Sequence, residues 1–420
     1  MSSLRVAIVA GETSGDALGA ALIEALRALS PQAEFMGVAG PRMRAAGCRV
    51  LLDAQELAVI GLVEVLPHLP RLLRLRARLV REITVLKPDV FIGVDYQQFN
   101  LGLAHRLKQR GFTTVQYVSP QVWAWRQRRV TAMARAYDLV LCLLPFEPAF
   151  YRAHALPAQF VGHPLADQIP LVPDRAAARE SLGLAAGSQV LALLPGSRAA
   201  EVQRLSKDFI RAAVLLARRR PGLQIIAPMA GPIVRAQFER SLHECAVGIK
   251  VPALPGSVPA DRPEVQVFDG QARTALCAAD IALVASGTAT LEALLCRCPM
   301  VVAYRVGAIT GLVLRRLVRL PYFSLPNLLA AEPLVPEFSQ QGVRPESLAR
   351  ELERVLEDAS RRDYQRSRFQ AIHESLRRDG AALAAAAVLQ LLRERAAAHG
   401  AAAPDPDVPQ QSRGGRGLGH

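Results

Sequence analysis

Short continuous apolar runs alternate with helix-spaced stretches almost from one end of the chain to the other. This alternation limits the fold more than any other feature. The first runs are Val6–Ala10, Glu34–Val38, Val90–Val94, Thr114–Val118, Leu139–Leu143 and Gln159–Val161. They are mostly uninterrupted apolar segments, as expected of strands covered on both faces. Between them, stretches such as Leu18–Leu29 and Leu101–Arg110 repeat their apolar residues at helical spacing. Such an order predicts a doubly wound parallel sheet. A second series follows, with predicted strands Val190–Leu194, Gln224–Ala227, Val265–Phe268, Ile281–Ala285 and Met300–Tyr304. Prolines between Pro164 and Pro173 interrupt the pattern and mark a join. The expectation is an α/β chain of two Rossmann-like domains facing a cleft, residues 1–167 and 168–395. Residues 396–420 are mostly Ala, Gly, Pro and Gln with almost no bulky apolar side chains, and are expected to be disordered. Ala253–Pro263, rich in Pro and Gly, reads as an exposed loop.

A chain of 420 residues, 51% of them hydrophobic, can fill two such cores. No apolar run approaches the ~18–20 residues that span a bilayer. The N-terminal stretch Leu4–Ala10 is too short for a signal peptide, so a cytoplasmic location is expected. Six scattered cysteines (48, 142, 245, 277, 296 and 298) read as reduced, mostly buried thiols, with no metal-ligand spacing among them. The net charge of +14 calls for an anionic partner: nucleic acid, an acidic membrane surface or a phosphorylated substrate. Only 5% aromatic residues and no RNA-binding or helix-turn-helix signature weaken the first option.

Polar motifs follow several of the predicted strands, where open α/β sheets bind ligands. Gly11-Glu12-Thr13-Ser14-Gly15-Asp16 opens the first helix, where Glu12, Ser14 and Asp16 read as binding groups, or Ser14 or Asp16 as the helix cap. It is neither a dinucleotide fingerprint nor a Walker A loop. Asp95, in Gly93-Val94-Asp95-Tyr96-Gln97-Gln98-Phe99-Asn100, stands at a strand end. A carboxylate there can take a proton from a sugar hydroxyl, or cap the helix beginning near Asn100. Ser119–Arg126 holds both tryptophans, and Trp123 with Arg126 reads as an apolar wall with a phosphate-binding rim, or as ordinary packing. Arg198, in Leu194-Pro195-Gly196-Ser197-Arg198, reads as a phosphate clamp at the interdomain cleft, or as a surface arginine after a turn. Ser286-Gly287-Thr288 enters a helix in a manner suited to a pyrophosphate, and Glu292 one turn on suits ribose hydroxyls or the helix dipole. Asn327 follows Pro326 and is otherwise a turn residue.

Two stretches interleave basic and apolar residues. In Leu69–Leu86, Leu69, Leu72, Leu73, Val80 and Ile83 share one helical face, Arg71, Arg74, Arg78 and Arg81 the other, and Arg76 breaks the pattern. Ile309–Leu320 is the second. Each is a basic amphipathic helix for an anionic membrane, or a core helix with a solvated face. Asp405-Pro406-Asp407 has the D-x-D form of metal-dependent sugar transferases but falls in the tail, so no metal is expected.

Taken together, the motifs resemble the lipid-A-disaccharide synthase family of outer-membrane lipid biosynthesis in Gram-negative bacteria. The matching stretches are GETSGD (11–16), GVAGPRM (37–43), ELAVIGLVEVL (56–66), KPDVFIGVD (87–95), YVSPQVWAWR (117–126), LPFE (144–147), LLPGSR (193–198), ASGTATLE (285–292), CPMVV (298–302) and SLPNLL (324–329). They keep the family's order to about residue 392. The resemblance implies the GT-B fold and a glycosyltransferase joining UDP-2,3-diacylglucosamine to 2,3-diacylglucosamine 1-phosphate. The products would be the β-1′,6-linked disaccharide and UDP, formed with inversion and without metal or cofactor. It implies Asp95 as base, Arg198 as an essential arginine, and Glu292 and Asn327 in the nucleotide region. It further implies peripheral attachment to the cytoplasmic face of the inner membrane and, in some members, dimers with exchanged C-terminal segments. One departure stands out: many members read GIDAPDFN where this chain reads GVDYQQFN, so a second aspartate is Gln98 here. The rival readings are another sugar enzyme of the same fold, such as a UDP-N-acetylglucosamine epimerase or an undecaprenyl-linked transferase, and a non-catalytic basic lipid-binding protein.

Overall fold

The computed structural model describes residues 3–58, 65–125, 128–185, 187–248, 264–307 and 321–401. Two parallel sheets organise the chain. The first contains β1 (Arg5–Ala10), β2 (Glu34–Ala39), β3 (Cys48–Asp53), β4 (Val90–Val94), β5 (Thr113–Tyr117), β6 (Leu139–Cys142) and β7 (Ala158–Phe160), in spatial order β3-β2-β1-β4-β5-β6-β7. The second contains β8 (Val190–Leu194), β9 (Gln224–Met229), β10 (Val265–Asp269), β11 (Ile281–Ala285), β12 (Met300–Tyr304) and β13 (Glu337–Ser339), in order β10-β9-β8-β11-β12-β13. Neighbouring strands are parallel throughout.

The continuous apolar strands are explained by two-sided burial. Val6, Ile8 and Ala10 of β1 enter one core, and Ala7 and Val9 enter the other. In β8, Val190, Ala192 and Leu194 face one core, and Leu191 and Leu193 the opposite one. The two strands absent from the sequence reading lie at sheet edges. β3 is only partly buried and β13 has three residues, so neither presents a continuous apolar run.

The strand order reverses between β1 and β4 in the first sheet, and between β8 and β11 in the second. At such a reversal the connecting helices leave on opposite faces and open a crevice beyond the carboxyl ends of the strands. The register sets Ala10 beside Val94 and Leu194 beside Val284. Each crevice is therefore lined by the loops that follow its two strands.

The C-terminal end departs from the expected domain limits. The helix Gly380–Ala401 packs against the helix Thr13–Leu29 and completes the first core with Ala384, Ala385, Ala387 and Val388. Its small side chains allow close approach, and Arg395 pairs with Asp138 at 3.3 Å. Residues assigned by sequence to the second domain thus cover the first, and 396–401, expected in the tail, continue the helix. The chain crosses between the domains at 161–164 and again at 376–380. Leu376 O accepts from His163 N at 2.9 Å, and the Asp167 carboxylate accepts from the amides of Arg378, Asp379 and Gly380.

Of the basic helices, Ile309–Leu320 lies outside the described residues, as do the Ala253–Pro263 loop and Asp405–Asp407. Val65–Leu86 is a helix, with Leu72, Leu79, Val80 and Ile83 buried and Arg71, Arg74, Arg78 and Arg81 exposed. Leu73, expected on the apolar face, is exposed, and the side chain of Leu69 lies outside the described set.

Candidate active site

The turn after β4 carries Asp95 in a conformation few residues adopt. Its φ is +51°, that of Tyr96 is +22°, and the neighbouring Val118 after β5 stands at +74°. Positive φ in a β-branched residue is a marked outlier, and such strain persists only where surrounding groups enforce it. Two fully buried amides do so. The Asn100 side chain donates towards Val9 O, Val94 O and Asp95 O at 3.2–3.4 Å. Gln116 Nε2 lies 3.1–3.2 Å from the carbonyls of Asp95, Tyr117 and Val118. The Tyr96 ring lies over the first turn of the β1 loop, where a Cβ on Gly11 would sit 2.5 Å from its Cδ1. Glycine is required there by close approach.

Ser14 Oγ, from the start of the first helix, donates to Asp95 Oδ2 at 3.3 Å. Burial pushes the Asp95 carboxyl above its ordinary range, and the Ser14 and Tyr96 hydrogen bonds partly offset this. Burial and then the Asp95 charge raise Glu12, while Arg198 pulls it down. Groups from the ends of β1 and β4 in the first domain and β8 in the second therefore share one electrostatic neighbourhood across the cleft.

Arg198 begins the helix Ala199–Arg219 in extended conformation. Its side chain is 75% exposed and, among the described residues, pairs with Glu201 at 3.2 Å, a surface pair of at most about 1 kcal/mol. The guanidinium is free to be recruited by an anion. After β11, Gly287 has φ +152°, outside the range of L side chains, and no side chain caps the helix Thr288–Leu295 that follows. Gly287 and Thr288 are exposed, so the positive end of that helix opens to solvent. Ser286 Oγ donates to Phe323 O at 2.9 Å, holding the turn. Glu292, one turn in, pairs with Arg273 at 3.4 Å.

Three expected binding residues are turned inward. Asp16 is 3% exposed, and its carboxylate accepts from the amides of Gly40, Arg42 and Met43 at 2.9–3.1 Å. It ties down the start of the short helix Pro41–Ala45. Asn327 is buried, donating to Val335 O and Glu337 Oε1 and accepting from Val335 N, so both of its amide hydrogens are taken by the fold. Trp123 is 9% exposed; its indole N–H donates to Glu147 Oε1 at 3.0 Å and its ring meets Phe146 edge-on. The expected tryptophan wall is a packed corner around Glu147, a carboxyl that burial raises to about 7. Arg126 lies outside the described residues. Gln98 is exposed.

Sequence reasoning passed over Gln116, Glu147 and Glu337. Gln116 carried a signal: it is an amide in a fully buried strand that ends beside the site. Glu337 carried none, since it lies in an edge strand of three residues and acts by accepting from Phe323 N, Ser324 N and Asn327.

The family model described as lipid-A-disaccharide synthetase matches residues 6–391. The lipid-A-disaccharide synthase of Sodalis glossinidius is 52% identical over 389 residues, covering 93% of this chain and 98% of that protein. That of Pseudomonas aeruginosa strain PAO1 is 51% identical over 392 residues, covering 93% and 99%. Among solved structures, the calicheamicin glycosyltransferase CalG4 aligns with a TM-score of 0.51 at 16% identity, over 96% of this chain and 100% of that one. A UDP-N-acetylglucosamine 2-epimerase from Neisseria meningitidis bound to UDP-N-acetylglucosamine aligns with a TM-score of 0.57 at 11% identity, over 94% and 100%. At those identities the structural likeness concerns the fold alone, a GT-B pair of Rossmann-like domains.

Proposed function

The chain belongs to the lipid-A-disaccharide synthetase family, and from that premise we propose how its crevice forms the lipid A disaccharide. Asp95 is the general base. It accepts the proton of the 6-hydroxyl of 2,3-diacylglucosamine 1-phosphate as that oxygen attacks the anomeric carbon of UDP-2,3-diacylglucosamine. The bond to the UDP oxygen breaks as the new bond forms on the opposite face, so an α-linked donor gives a β-linked product. A base whose pKa lies above the ordinary carboxylate range is better matched to neutral pH, and burial supplies that shift. Ser14 orients the carboxylate. Glu12 stands at the same opening and contributes to acceptor binding.

The leaving diphosphate gathers charge as the bond breaks. Arg198 and the open helix end at Gly287–Thr288 supply compensating donors, and Glu292 faces the ribose. What supports this reading is the place of Asp95 at the strand-order reversal of the first sheet, with Ser14 on its carboxylate at 3.3 Å, and the opposing influence of Asp95 and Arg198 on the Glu12 carboxyl. Among the described residues no group of three His, Cys, Asp or Glu side chains stands together as a metal site. Turnover through Arg198 and the helix end is expected to persist in EDTA.

The acyl chains place the reaction at a membrane surface. Among the described residues no helix is long and apolar enough to cross one. Peripheral attachment to the cytoplasmic face of the inner membrane fits the basic outer face of Val65–Leu86, with Leu73 and Val85 exposed beside Arg71, Arg74, Arg78 and Arg81. In a homodimer, Gly380–Ala401 is the segment two copies would exchange, since the same small-residue face would cover a partner's first sheet.

The test follows UDP and disaccharide together by mass spectrometry, with the acylated donor in detergent, with and without acceptor. Acceptor-dependent release of UDP with one disaccharide per UDP is expected. Epimerisation of UDP-N-acetylglucosamine, or UDP release indifferent to acceptor, would overturn the reading.

A further inference from the structure

Arg76 interrupts the basic face of the helix Val65–Leu86, and the structure shows where it goes. Arg71, Arg74, Arg78 and Arg81 point to solvent, whereas Arg76 turns inward and is half-buried. Its Nη2 donates to Gln98 O at 3.1 Å, and its guanidinium lies 5.2 Å over the Phe99 ring. It rests on Gly102, where a Cβ would come within 2.6 Å of Nη1. No carboxylate among the described residues pairs with it, and its Nε is buried without a hydrogen-bond partner. Burial, and then the like charge of Arg106, weaken its hold on its proton. A half-buried cation with an unsatisfied donor is unfavourable by itself, which directs attention to what it holds.

What it holds is the turn that presents Asp95. Gln98 follows Asp95 by three residues, and Phe99 stacks on Tyr96 at 6.1 Å. Tyr96 shares the strained conformation of Asp95 and closes over Gly11. Asn100 and Gln116 fix this turn from the sheet side, and Arg76 fixes it from the helix side. We propose that Arg76 is a positioning residue for the glycosyl transfer: its guanidinium holds the Gln98 carbonyl and the Phe99 ring so that the Tyr96–Asp95 turn keeps its left-handed form. The inference rests on Asp95 being the base.

The test is steady-state kinetics on the full chain with the acylated donor and acceptor. The variants are Arg76→Met, Arg76→Lys, Asp95→Asn and the double Arg76→Met with Asp95→Asn. Methionine keeps the packed stem but has no donor. Arg76→Met is expected to lower kcat at least tenfold with donor KM within twofold, and Arg76→Lys to recover part of it by donating to Gln98 O. The double variant should be no slower than Asp95→Asn alone, because the two changes remove one function. If Arg76→Met folds poorly, Gly102→Ala displaces the guanidinium while strengthening the helix, and the same kcat loss is expected. Wild-type kcat in Arg76→Met or Gly102→Ala, with Asp95→Asn inactive, overturns the role of Arg76 alone. An active Asp95→Asn overturns the base and this inference with it.

Discussion

The turns after β4 and β11 occupy equivalent places in the two domains, yet they are built in opposite ways. The β4 turn is strained, half-buried and clamped by the amides of Asn100 and Gln116. The β11 turn relies on one glycine at φ +152°, carries no capping side chain and opens to solvent. Moving a proton requires one carboxylate held at one angle in a partly dry place. Gripping a diphosphate requires several donors that a large anion can reach. On the proposed mechanism, the same position at a topological switch point serves proton transfer in one domain and the diphosphate in the other.

The comparison can be broken from either side. Arg198→Ala removes the exposed cation that follows β8 and should lower turnover by about 100- to 1,000-fold, since loss of one such donor typically costs about 3–4 kcal/mol in barrier. Single-turnover rates check it, and a loss below threefold would remove Arg198 from the transition state. Gly287→Ala has open space around it but the wrong φ, so it should distort the open turn, raise donor KM and lower kcat about tenfold. A rise in KM with kcat unchanged would show that this turn only holds the ground-state diphosphate and does not stabilise the leaving group.

Ser14→Ala sharpens the contrast in the first domain. Asp95 must be deprotonated to accept a proton, so kcat/KM falls as pH drops through its raised pKa. Ser14 favours the charged form; removing it should move that acid limb to higher pH by a few tenths of a unit to one unit. A limb that stays in place or moves down would show that Ser14 does not act on Asp95.

Most of the fold was legible because buried parallel strands write themselves as apolar runs. Val90–Val94, Val190–Leu194, Ile281–Ala285 and Met300–Tyr304 have the expected limits. The edge strands β3 and β13 escaped because half-buried or very short strands leave no such run. The strand-end motifs also located the crevices, but they did not tell which polar side chains enter them. Asp16 was legible in principle: it falls with Ala20 and Ile23 on the buried stripe of its helix. Asn327 and Trp123 were not, since their partners Val335, Glu337 and Glu147 are set by tertiary packing. The destination of Gly380–Ala401 was hidden for a similar reason, because an alanine-rich helix fits either domain equally well by pattern.

The central claim is that Asp95 takes the proton, and it is tested most directly by acceptor-dependent UDP release in Asp95→Asn against wild type, in detergent with EDTA. The account predicts that wild-type release survives the chelator and that the variant loses about a thousandfold in kcat, within the usual range for a general base, with donor KM nearly unchanged. Release by Asp95→Asn within tenfold of wild type would contradict it and leave the base to another group in the same crevice.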